Sequence, residues 1–330
     1  MKTGDTQEMV RSPGGNVRFR DDLAWFISQL GGTKRRSSSC CELAAMSRTV
    51  FGFTLVEILV VITVIAVLVG LLVPAVTKAK STGQGIACLN NIRQLMVAWK
   101  MYPDDNNGKL VRNAAFNGIA RYRADTGGWI HGWLDFGGAN TDNTNVLKLI
   151  GEADGQTALF GKYITTPEVY RCPADPSTVR IDGRVYPRVR SLSMNQAIGS
   201  GSTATWLPPS TYIVFQKESE VVNPAPANLL AFLDEHPDSI NDAGWAFQMH
   251  DPDQRAQAKL IDIPASYHNG AGSLSFADGH SEIHRWLDPR TRPAIHYTNN
   301  VSNVATPNNA DADWLAARVS SRKDGTKSWW

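Results

Sequence analysis

The 330-residue chain is 42% hydrophobic and 19% charged, which excludes a collagen-like, coiled-coil or wholly disordered protein and leaves room for one large or two small domains. Its net charge of +2 hides an asymmetry: residues 1–52 carry eight Lys/Arg against five Asp/Glu, so the body is near neutral, no phosphate-neutralising surface is implied and no nucleic-acid partner is expected. The four cysteines, two adjacent (Cys40, Cys41) and two far apart (Cys88, Cys172), exclude a disulfide-dense scaffold and a Cys-x-x-Cys zinc pair.

Residues 1–45 hold one short apolar patch, Leu23-Ala24-Trp25-Phe26-Ile27, and no sustained period. From Ile58 to Thr77 the chain runs twenty residues without a charge, about 30 Å of helix and long enough to cross a bilayer. Lys34, Arg35, Arg36 and Arg48 before the run, against Lys78 and Lys80 after it, favour a cytoplasmic N-terminal side only modestly. A secretory signal peptide has a shorter apolar core and a small-residue cleavage site, whereas this run ends Pro74-Ala75-Val76-Thr77-Lys78. Ile86, Leu89, Ile92, Met96 and Trp99 then recur at steps of three and four, so the helix is expected to continue to residue 102 with that face against a folded domain. Tyr102-Pro103-Asp104-Asp105-Asn106-Asn107-Gly108 stops it, and this cluster lacks the register of an EF-hand calcium loop.

Residues 103–330 read as short strands between Gly and Pro clusters, among them Val169–Arg171, Tyr212–Phe215 and Leu229–Leu233. The expected class is α+β, an antiparallel sheet wrapped on the amphipathic half of one long helix, since each supplies the other's missing apolar face. Asp278-Gly279 between alternating runs predicts a two-residue type I′ hairpin. In that register Leu274 faces Ile283, Phe276 shares their side, and His280, Glu282 and His284 point the other way. Those three could ligate zinc or copper, but alternation alone makes such a polar face, and the solvated reading is preferred. His268 and Asp278 are expected to be linked by hydrogen bonding at the hairpin's entry.

No G-x-S-x-G elbow, P-loop or G-x-G-x-x-G occurs, and the His-x-Glu stretch has no Cys-x-x-Cys partner, so no enzyme and no cofactor are expected. Trp129 and Trp133 flank His131 in a Gly-rich loop. Exposed, they would suit stacking on sugars or single-stranded bases; core packing is the commoner use.

The hexapeptide Gly52-Phe53-Thr54-Leu55-Val56-Glu57, directly before the apolar run, resembles the signal of type IV prepilins and type II secretion pseudopilins. That resemblance implies cleavage after Gly52 by a prepilin peptidase, N-methylation of Phe53, and a Glu57 that neutralises the N-terminal amine of a neighbouring subunit. Pro74 falls where many pilins carry a helix-breaking proline. His268 followed nine residues later by Asp278-Gly279 looks like the H-x9-D-G element of prepilin-type cleavage and methylation proteins. Cys88-Leu89-Asn90-Asn91, Cys172-Pro173-Ala174-Asp175 and Ser193-Met194-Asn195 resemble the same family, while residues 287–330 have no counterpart in it.

The organisation implied is a leader (1–52), a transmembrane and stalk helix (53–102) and an extracytoplasmic β-rich domain (103–330). Met46 opens a short leader of the family's kind, so translation is expected to start there, with residues 1–45 outside the product; the alternative is a cytoplasmic tail that is removed. The protein implied is a structural subunit of a pilus-like filament or pseudopilus in the bacterial inner membrane. Its partners would be prepilin peptidase, copies of itself and other pilin-like subunits, the assembly platform and membrane lipid. The rivals are a minor tip subunit binding sugar or DNA and a membrane-anchored metal-binding or enzymatic domain. On the oxidising side, Cys88 and Cys172 are expected to form a disulfide that closes about eighty residues, worth about 4 kcal/mol in the chain-entropy account.

Overall fold

A computed structural model of the chain describes residues 54–113, 128–199, 206–298, 301–327 and 329. It divides at Val60, and the described part of the first unit is residues 54–60, the opening of helix α1 (Leu55–Asp105). The helix starts on a capping box. Thr54 N–H and Oγ1–H donate to Glu57 Oε2 at 2.7 and 2.8 Å, and Glu57 N–H donates to Thr54 Oγ1 at 3.2 Å. Residues 55–80 of α1 are exposed.

α1 is one helix through the apolar run and the stalk, as expected; it runs past residue 102, and one residue of its expected buried face is exposed. The helix is continuous through Pro74 and Pro103 and ends at Asp105, where Asn107 and Gly108 take positive φ and Gly108 N–H donates to the Pro103 carbonyl at 2.8 Å. Of the expected face Ile92, Met96 and Trp99 are buried, together with Gly85, Cys88, Leu95, Ala98 and Pro103. Ile86 is 63% exposed, because the side that meets the sheet at this level is made of the small residues Gly85 and Cys88.

The main sheet has five strands, β1 (Leu192–Asn195), β2 (Leu230–Asp234), β3 (Gly244–Trp245), β4 (Ala271–Phe276) and β5 (Ser281–Arg285), in the order β5-β4-β2-β1-β3. All pairs are antiparallel except β1 with β3, and a bulge lies between Leu230 and Phe232. Every residue of β1, β2 and β4 is buried, the mark of a sheet covered on both faces. The polar face expected of the hairpin is therefore absent from its first strand, β4, while the edge strand β5 stays partly exposed.

On one face lie α1 and the loop carrying Trp129, whose ring meets Phe232 at 5.0 Å. On the other lies α2 (Ala310–Val319), capped by Asn309, whose side chain accepts from Asp311 and Ala312 N–H. Ala312, Leu315, Ala316 and Val319, spaced i, i+3, i+4 and i+7, are buried, and Asn195 Nδ2 donates to the Val319 carbonyl at 2.9 Å. Of the expected strands, Leu229–Leu233 corresponds to β2, whereas Pro167–Tyr170 is a 3-10 turn begun by its proline, and Tyr212 and Phe215 make only isolated bridges.

The β4–β5 hairpin is one residue out of the expected register. Gly279 alone takes positive φ (+105°), Gly279 N–H donates to the Phe276 carbonyl and Phe276 N–H to that of His280. The loop is therefore three residues, Ala277-Asp278-Gly279, closing with glycine in the left-handed position. Leu274 stands opposite Glu282, and Ile283 opposite Ser273, so Ile283 turns to the α1 face while Glu282 and His284 share the α2 face with Leu274. A two-residue turn does occur just upstream, at Asn269-Gly270, where both residues take positive φ and His268 and Ala271 exchange backbone hydrogen bonds.

Candidate metal centre

Four side chains from four separate stretches converge under α1. Cys88 lies on its buried stripe, one turn beyond Gly85, whose missing side chain lets the sheet come close. Cys172 follows the Pro167–Tyr170 turn and is fixed by its N–H donating to Ser191 Oγ at 2.8 Å. Asp234 is the last residue of β2, and His268 opens the Asn269-Gly270 turn into β4.

Cys88 Sγ lies 2.9 Å from Asp234 Oδ2, Cys172 Sγ 3.4 Å from His268 Nε2, and His268 Nε2 3.8 Å from Asp234 Oδ2. All four residues are buried, and their ligand atoms lie within 4.8 Å of one another. Around them, Ser191 Oγ–H donates to Asp234 Oδ1 at 3.2 Å and Ala174 N–H to Cys172 Sγ at 3.4 Å.

The Cys88 thiol is pushed well above its ordinary range by its hydrogen bond with Cys172, by burial and by the charge of Asp234. Burial opposes a charge on His268, but Asp234 and Cys172 outweigh it and raise its pKa to about 9.

Cys88 and Cys172 are thus neighbours, but as free thiols rather than the expected disulfide. Besides their contact with each other, Cys88 Sγ meets Asp234 and Cys172 Sγ meets His268. His268 is not linked to Asp278. The Asp278 carboxylate closes its own turn instead, accepting from His280 N–H at 3.0 Å and lying 2.6 Å from His280 Nδ1. The expected solvated face holds for His280 and Glu282, whose side chains stay largely open to solvent although His280 stacks on Phe276 at 4.3 Å, whereas His284 is covered by Trp314 at 3.9 Å.

Trp129 is wholly buried and Trp133 half-buried, which removes the paired exposed aromatics that a sugar or single-strand platform needs. Gly52 and Phe53 lie outside the described residues. Asp234 escaped the sequence reading: it ends an apolar run 146 positions from Cys88, and no local spacing marks it. Comparison of the chain with protein-family models, with curated proteins and with solved structures finds no match.

Proposed function

We propose that the chain is a pilin-like or pseudopilin-like structural subunit, cut between Gly52 and Phe53 by a prepilin peptidase and held in the bacterial inner membrane by residues 58–77. It assembles with copies of itself and related subunits through α1. The observation that carries this reading is the hexapeptide Gly52 to Glu57 standing directly before a twenty-residue uncharged run. Support comes from the exposure of that run along α1 and from an α+β domain packed on the helix's distal half. A single apolar helix also serves as an anchor of many unrelated proteins, so the weight rests on the hexapeptide.

Assembly follows physically from the run. Packing it among copies exchanges lipid contacts for helix contacts, and a carboxylate at the start of an apolar helix is costly in lipid unless a cation meets it. The mature amine of a neighbour's Phe53 is such a cation. The test is intact mass and N-terminal analysis of protein extracted from membranes of cells with active prepilin peptidase. A chain beginning at N-methylated Phe53 is expected, and Gly52→Leu should leave the uncut precursor in the membrane. An intact Gly52–Phe53 bond in the wild-type protein would overturn the proposal.

A further inference from the structure

We propose that Cys88, Cys172, Asp234 and His268 are the four ligands of a structural zinc ion that fastens α1 to the sheet. Two sulfurs, an imidazole nitrogen and a carboxylate oxygen are all donors that zinc takes, and four of them complete a tetrahedron. Donors about 2.0–2.3 Å from a zinc ion at tetrahedral angles stand about 3.3–3.8 Å apart. The separations of 2.9, 3.4 and 3.8 Å, with none among the four beyond 4.8 Å, bracket that range, so an ion fits with small side-chain shifts.

The surroundings suit a closed site. Ser191 ties two ligands together, accepting from the Cys172 N–H and donating to Asp234, and Ala174 N–H points at the Cys172 sulfur. Such outer hydrogen bonds orient metal ligands. Complete burial leaves no open coordination position, which makes the ion structural rather than catalytic. On binding, the thiol protons of Cys88 and Cys172 and the extra proton of the His268 imidazolium leave for solvent, Asp234 enters as the carboxylate, and no electrons move.

The four ligands come from α1, a loop, β2 and a hairpin turn, so one ion cross-links elements far apart in the chain. The competing fate of the same sulfurs is a disulfide, which brings them to about 2.05 Å and removes both as ligands. The zinc site belongs to the fold of the globular part alone and stands or falls independently of the pilin-like role.

The test is elemental analysis of the untagged full-length chain, purified in detergent under reducing conditions without chelator, followed by zinc titration and thermal unfolding. One tightly held zinc per chain is expected, with a fall in Tm on chelation that added Zn2+ reverses. Cobalt(II) should give the sulfur-to-metal charge-transfer absorption of a thiolate site, lost in Cys172→Ser. Should ligand variants fail to fold, Ser191→Ala keeps all four donors and is expected to weaken zinc affinity about 10–100-fold with unchanged circular dichroism. Wild-type protein that folds with the same Tm with and without zinc and binds none overturns the proposal. So does a Cys88–Cys172 disulfide in the natively extracted chain, found as absent free thiols and a mass lower by the two thiol hydrogens.

Discussion

A Cβ placed on Gly85 of α1 would stand 2.8 Å from Cδ1 of Ile283 on β5, closer than non-bonded carbons approach, so the helix and the sheet's edge strand meet over a missing side chain. Two effects oppose each other at this position. Alanine is favoured over glycine in a helix by about 1 kcal/mol, whereas overpacking costs about 1–3 kcal/mol. Cδ1 is the far end of a flexible side chain on a residue that is 38% exposed, so it turns aside at small cost. Gly85→Ala is therefore expected within about 1 kcal/mol of the parent, and Gly85→Ala with Ile283→Val, which removes that Cδ1, to be at least as stable as the parent. A double-mutant cycle from urea midpoints reads the coupling; strict additivity would show that the two positions do not press on each other.

Gly279 has open space around it, since a Cβ added there would meet nothing within 4 Å, yet its φ of +105° is one that side-chain-bearing residues rarely adopt. Gly279→Val should thus destabilise by about 1–3 kcal/mol through backbone strain alone. The check is a lowered denaturation midpoint with an unchanged slope. A neutral substitution would mean that the loop relaxes to another turn type.

Burial lowers the pKa of His284 below its usual 6.5, with Arg318 adding to the effect and Glu282 and Asp311 working against it. In the unfolded chain the imidazole takes a proton near its ordinary pKa, while in the folded chain it stays neutral to lower pH. The unfolded state then binds more protons, so this contribution to stability is present above about pH 6.5 and falls as the solution is acidified. His284→Phe keeps a ring against Trp314 and cannot charge. It is expected to flatten the fall in stability below pH 6.5, followed by Trp fluorescence in denaturant titrations at several pH values.

Glu57 has two duties that one pair of variants separates. Glutamine serves as well as glutamate at the third position of a capping box but carries no charge. If pairing with a neighbour's amine drives assembly, Glu57→Gln should leave the helix start intact and abolish assembly. Thr54→Ala should instead weaken the helix start by about 1 kcal/mol. Crosslinking in membranes measures the first and amide hydrogen exchange at residues 55–58 the second; normal assembly of Glu57→Gln would assign Glu57 to the cap alone.

How much of this was legible in the sequence depended on whether the signal was local. The apolar run of α1 could be read because twenty consecutive residues share one property, and β2 because Leu230 to Leu233 has no polar member. The face of α1 that meets the domain was legible at Ile92, Met96 and Trp99 but not at its upper end, since a search for large apolar residues selects Ile86, while close approach to the sheet selects Gly85 and Cys88. In the hairpin, Asp278-Gly279 signals a turn but does not fix its length; the third loop residue, Ala277, carries no turn signature, and it shifts the pairing by one. Three members of the cluster were noticed in the sequence in other roles, the two cysteines as a disulfide and His268 as part of the hairpin entry. Its fourth member, Asp234, depends on which strand end the helix crosses, which only the assembled sheet decides.

The placement of α2 has a consequence for how the molecule is made. A ribosome delivers Cys88, Cys172, Asp234 and His268 in that order, and by His268 three of the five sheet strands, β1, β2 and β3, have emerged. The face holding Leu233 and Leu274 is closed only when Ala310–Val319 arrives. Until then a growing chain carries an open apolar sheet face, the kind of surface that holdase chaperones bind. Shortening the chain ahead of α2 should therefore turn a folding protein into a chaperone client without altering a single residue of its sheet.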